Sequence, residues 1–220
     1  MLLALDTATP DVTVALRDDE RVVASAGGDH PMRHGEQLAP AIAEVLAAVD
    51  ATPRDVTAIA VGTGPGPFTG LRVGIVTART MAAVLGIPTY GVCTLDVLAA
   101  QAADTGVVEG RFLVASDARR KEVYWAAYDV AGPGEQVVRL DGPQVGAAAD
   151  LPAELRALPV VGEGGRLYPV AFGDVRGPER PSAAVLAEVV AAERVELRDP
   201  EPLYLRRPDA VEPTPRRRVS

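Results

Sequence analysis

The chain repeats itself. Near its start stands LLALDTATPDVTVALRDD, and from residue 111 RFLVASDARRKEVYWAAYDV follows the same plan. In both, an apolar run ends in an aspartate, Asp6 or Asp117, a polar turn follows, and an alternating apolar run resumes. With Asp6 set on Asp117, Asp11 meets Glu122, Val12 meets Val123 and Val14 meets Trp125. A strand, a turn and a second strand at matching offset mark an internal repeat, which restricts the chain to two related halves.

The first half carries three short strands, around Leu2 to Leu5, Val12 to Leu16 and Val22-Val23, separated by turn signals. A helix over 34–49 follows, with Leu38, Ile42, Val45, Leu46 and Val49 on one stripe. A strand over 56–61, a glycine-rich bend and a helix over 71–85 come next, and Gly86 and Pro88 stop that helix. A strand over 89–92 leads to Thr94, a good N-cap for a helix to Ala103. The second half begins alike but is less regular after Asp141. There 151–158 reads as a short helix, Val160-Val161 as a strand, GEGGRLY as a turn, and Ser182 as the cap of a helix to about Glu193.

This order is the layout of an α/β protein with the duplicated actin-like ATPase fold: two lobes, each a mixed β-sheet flanked by helices. The expected divisions are 1–105, a shorter lobe over 106–200, and a C-terminal segment over 201–220. The end of that segment, rich in proline and arginine, is expected to be disordered.

Composition narrows the chemistry. A single cysteine, Cys93, excludes a disulfide framework within one chain and a cysteine-based zinc site, which favours a reducing interior and a cytoplasmic setting. The apolar N-terminus lacks a basic region and is interrupted by Asp6, so it reads as a strand rather than a signal peptide. No apolar run is expected to span a bilayer. A net charge of −8 makes a poor stand-alone nucleic-acid binder.

GTGPGPFTGLRVGI, residues 62–75, follows a strand and opens a helix, so its amides could face an anion. It lacks the lysine and hydroxyl of a P-loop, and a sharp structural bend explains it as well. Asp6 and Asp117 stand where actin-like ATPases hold phosphate and magnesium, yet each could simply cap its own turn. Asp6, Thr7, Gly64, Gly66 and Asp117 are the candidate nucleotide or phosphate contacts. His30 and His34 are four apart, but Pro31 lies between them and no carboxylates cluster nearby, so no metal site is expected. Neither a GxSxG elbow nor a histidine near Cys93 appears, so no catalytic residue is assigned.

Three segments together, LALDTATPDVTVAL, GTGPGPFTGLRVGI and SDARRKEVYWAAY, with EPLYLRR near the end, closely resemble the bacterial TsaB (YeaZ) family of tRNA threonylcarbamoyladenosine biosynthesis proteins. The resemblance implies a non-catalytic subunit that pairs with the catalytic paralogue TsaD and the ATPase TsaE, and meets tRNA indirectly through that complex. The complex transfers threonylcarbamoyl from its adenylate to the adenosine just after the anticodon. No tightly bound cofactor is expected, ATP or ADP at the partner interface being the one candidate, and a chain without its partner is expected to cover the interface face by forming a homodimer. The paralogue's two metal-binding histidines fall here on Thr94 and Leu98, and its second phosphate loop is replaced by ARRK. The glycine stretch is therefore expected to be a structural bend.

The helix after the bend carries Gly74, Ala78 and Ala82 as a small-residue stripe flanked by Leu71 and Ile75. With Leu38, Ile42 and Val45 of the preceding helix, this is the expected partner interface. An arginine at Ala78 is expected to block association while leaving the fold intact. The competing reading is a small actin-like kinase or metallohydrolase acting alone.

Overall fold

The computed structural model describes residues 1–28 and 34–206. His30 and the arginine-rich end (Arg216, Arg217 and Arg218) lie outside the described residues, and with them the histidine-pair and tail readings.

The strands β1 (Leu2–Asp6), β2 (Val12–Arg17) and β3 (Val22–Gly28) form an antiparallel meander. After α1 (His34–Ala47), β4 (Ala58–Gly62) joins β1 in parallel; α2 (Phe68–Leu85) follows, and β5 (Thr89–Val92) completes the sheet. The order is β3-β2-β1-β4-β5. Next come α3 (Thr94–Asp104) and the second meander, β6 (Gly110–Asp117), β7 (Glu122–Val130) and β8 (Val138–Ala147). The rest is α4 (Ala153–Arg156), β9 (Val160–Val161), α5 (Glu163–Leu167), β10 (Val175–Arg176) and α6 (Ala183–Ala191). Read from β8, the second sheet runs β8-β7-β6-β9-β10, the same order and the same strand directions position for position, so the duplication of the sheet is complete. GEGGRLY, expected as a turn, contains α5, the shrunken counterpart of α2. Five residues hold too little of a 3.6-residue period to announce a helix.

Five layers result. α1 and α2 cover the outer face of the first sheet, α4 and α5 that of the second, and α3 and α6 lie between the sheets. The last helix of each half packs on the other half's sheet: α3 on β6, β7 and β9, α6 on β1 and β2. One buried cluster therefore joins Ala4 and Ala60 of the first sheet to Phe112 and Tyr128 of the second. α6 thus packs on the first sheet although it follows the second in sequence. Gly86 ends α2 in the left-handed region (φ 69°) and donates its N–H to the Ala82 carbonyl, as its place before Pro88 implied.

α2 is also the one described helix long and apolar enough, by length and composition, to cross a membrane, which corrects the expectation that no run approaches that length. Its Leu71, Gly74, Ile75, Ala78 and Ala82 side is buried against the chain's own sheet.

Candidate functional site

β1 and β4 run parallel, so Asp6 and the glycine bend open on one edge of the first sheet. Asp117, at the end of β6, opens on the matching edge of the second. Between them lies a cleft of about 250 Å³, lined by Gly66 and Phe68 on one side, Asp117 to Arg120 and Tyr124 on the other, and Tyr204 to Arg206.

Both aspartates cap their own turns. Asp6 Oδ1 accepts the Ala8 N–H (2.7 Å), and Asp117 Oδ1 accepts the Arg119 N–H (2.8 Å). Beyond that they part. Asp6 is 1% exposed, and its Oδ2 accepts the Thr94 hydroxyl (2.8 Å), which in turn accepts the Gly64 N–H (3.1 Å). The Thr94 N–H closes the ring on the Gly64 carbonyl (2.8 Å). Burial pushes the Asp6 carboxyl up from 3.8 to about 6, against the lowering effect of the Ala8 and Thr94 hydrogen bonds. Thr7 is equally buried: its hydroxyl donates to the Gly70 carbonyl (2.8 Å) and accepts the Gly74 N–H (3.2 Å), tying the turn to α2. A Cβ on Gly74 would overlap that hydroxyl, and one on Gly66 would overlap the Ala8 carbonyl oxygen.

Of the expected phosphate contacts, Asp6, Thr7 and Gly64 are thus directed into the lobe, with polar atoms held by the chain itself. That corrects their reading, because a phosphate cannot reach groups already buried and bonded. Gly66 and Asp117 do line the cleft. Thr94 bonds to Asp6 rather than capping α3, Leu98 sits in the core, and burial pushes the Cys93 thiol up to about 12, leaving it inert.

The second turn is strained. Arg119, Arg120 and Lys121 stand in succession at φ 60°, 56° and 65°, a region that costs a non-glycine residue roughly 1–2 kcal/mol. All three are exposed. Arg119 holds Asp117 only at 3.5 Å.

A strap of chain after α6 crosses the cleft, a feature sequence reasoning missed. Arg198 and Gly91 exchange backbone hydrogen bonds (2.8 and 2.9 Å), and the Leu203 N–H donates to the Thr63 carbonyl (2.8 Å). Tyr204 stacks on Phe68 with ring centroids 4.9 Å apart, and Arg72 lies over Phe68 while its Nε–H donates to the Tyr204 hydroxyl (3.0 Å). Arg206 reaches the second lobe, donating to the Ala118 carbonyl (2.6 Å) and pairing with Glu122. The apolar LYL inside an otherwise polar end was the available signal.

Comparison with known proteins fits this architecture. The family model described as "TsaD: tRNA N6-adenosine threonylcarbamoyltransferase" matches residues 15–164. An uncharacterized protein of Mycobacterium tuberculosis is 41% identical over 213 residues, covering 95% of this chain and 93% of that one. The tRNA threonylcarbamoyladenosine biosynthesis protein TsaB of Escherichia coli is 40% identical over 131 residues, 58% of this chain and 54% of its own. The solved structure of YeaZ from Pseudomonas aeruginosa superposes with a TM-score of 0.77 at 28% identity, covering 93% of this chain and 99% of that one. The chain belongs to the TsaB (YeaZ) family. The fold is the duplicated actin-like one that the repeat implied.

The expected partner residues need correction. Leu38, Ile42, Val45, Leu71, Gly74, Ile75, Ala78 and Ala82 are all buried in one cluster or against the sheet beneath it. A small-residue stripe permits close approach to any neighbour, and here the neighbour is the chain's own sheet. The outward face of α2 is instead the stripe Arg72, Val76, Thr80 and Val84, with Val76 59% and Val84 80% exposed.

Proposed function

We propose that this chain is a non-catalytic subunit of the cytoplasmic machinery that transfers threonylcarbamoyl to a tRNA adenosine, acting through a TsaD-family partner. The family match and the TsaB relatives support the pathway. The observation that carries the non-catalytic role is the closed ring of Asp6, Thr94 and Gly64. The groups that would grip a phosphate in the first lobe are spent on holding that lobe together. The end of the strap, Tyr204 to Arg206, forms one wall of the cleft that remains between the lobes.

The partner is assigned to the outer face of α2. Two large valines in water on one stripe are unusual for a helix whose other side is fully packed. The TsaD-family model itself covers α1 and α2, so a partner of that family presents an equivalent pair of helices. Helix against helix lets both cover an apolar face, and a second copy of this chain takes the same place when the partner is absent. TsaE joins this pair, and ATP or ADP binds at the junction of subunits rather than within this chain's own cleft.

The test is co-purification of the chain with its TsaD-family partner, followed by tRNA modification in the reconstituted mixture. Val76→Glu and Val84→Glu together are expected to keep the circular dichroism spectrum and to weaken partner binding at least a hundredfold. Turnover of ATP or a sugar by the chain alone, lost with Asp6→Asn, would overturn the reading.

A further inference from the structure

We infer that the strained turn of the second lobe, Arg119-Arg120-Lys121, is a phosphate-contacting surface for tRNA. The inference rests on the proposed role in tRNA modification and adds direct contact by this subunit.

Three successive left-handed residues favour glycine or asparagine, and the sequence places two arginines and the chain's only lysine there. A left-handed backbone does not by itself select arginine or lysine. They point to a task outside the fold, since strain is kept where surrounding structure and function hold it. The equivalent turn of the first lobe, after Asp6, has no residue at positive φ and no cation.

Charge then concentrates at the spot. On a chain of net charge −8, Arg119, Arg120 and Arg206 line the cleft, Arg72 bonds to Tyr204 of its wall and exposed Lys121 follows in the same turn, against the carboxylates of Asp117 and Glu122. Further along the cleft, Glu163 and Glu179 are held by Arg166 and Arg180. Beside the cations lies an aromatic face: Tyr204, 41% exposed, on Phe68. Cations interleaved with an aromatic platform suit RNA, whose phosphates meet the arginines while an unstacked base rests on the ring. The acidic remainder of the chain makes this surface weak by itself, so the contact operates within the assembly with the partner.

The experiment measures binding of an unmodified tRNA transcript to the reconstituted assembly across a salt series. The variant is Arg119→Asn, Arg120→Asn and Lys121→Asn together, since asparagine tolerates the left-handed backbone and the turn keeps its shape. Affinity at about 0.15 M salt is expected to fall about tenfold or more, and the slope of log K against log salt to flatten by roughly 2. Partner co-purification is expected to be unchanged. An unchanged affinity and slope in an assembly that still modifies tRNA would overturn this inference alone. A wild-type chain that neither holds the partner nor supports modification would overturn the proposed function itself. Competition by duplex DNA as effective as by unlabelled tRNA would make the turn a general polyanion patch and overturn the assignment to tRNA.

Discussion

Asp6 and Asp117 hold the same place in two halves of one duplicated fold, and they do opposite things. Each ends the central strand of its sheet and caps its own turn through the same short hydrogen bond. Around Asp6 the chain closes: α2, Thr94 and the glycine bend bury the carboxylate and satisfy it. Around Asp117 the chain stays open, α2's counterpart has shrunk to the five residues of α5, and exposed cations stand on a strained backbone. The long helix makes the difference. Where it packs, the turn becomes core; where it is short, the turn remains surface.

The largest expected effect lies beneath the first turn. Ala78 is fully buried, so Ala78→Arg would bury an unpaired cation at a cost of several kcal/mol and leave little folded protein by circular dichroism. The same change at exposed Val84 is expected to shift stability by less than about 0.5 kcal/mol. A stable, folded Ala78→Arg chain would mean that α2 does not seal the first turn as described.

Next comes pH. The Asp6 carboxyl, raised from 3.8 to about 6, holds its proton more tightly folded than unfolded. Its favourable contribution is therefore full below about pH 4 and is lost as pH rises through about 6. The loss amounts to about 3 kcal/mol. Urea unfolding of the wild type against Asp6→Asn should show that component in the former and not the latter. Identical pH profiles would remove Asp6 from the core.

A smaller effect, of opposite sign in the two turns, follows from the backbone. Arg120→Gly relieves a left-handed residue and should raise stability by about 1 kcal/mol. Ala8→Gly, where no strain exists, should lower it by about 1 kcal/mol. Thermal unfolding of both variants decides it, and equal losses would show that the second turn carries no strain. Smallest of all, Asp117→Asn removes one long ion pair to an exposed arginine and should change the unfolding free energy by no more than about 0.5 kcal/mol.

By itself the sequence determined the order of elements, the duplication, the stop of α2 at Gly86 and the two aspartate turns, because periodicity and turn chemistry are local and survive in a single string. It also held the family's motifs in order. It could not tell which side of α2 faces inward, since a helix apolar on two sides has the same period whichever side is covered. That choice was made by Thr7 and the first sheet, and it moved the exposed surface from Ala78 to Val76 and Val84. Nor could spacing reveal that α3 and α6 exchange sheets, or that Tyr204 returns to Phe68 from far along the chain. Contacts between distant residues depend on how whole layers stack. Burial is a property of the stack, and only the tertiary structure separates an aspartate sealed in the core from its twin left at the rim.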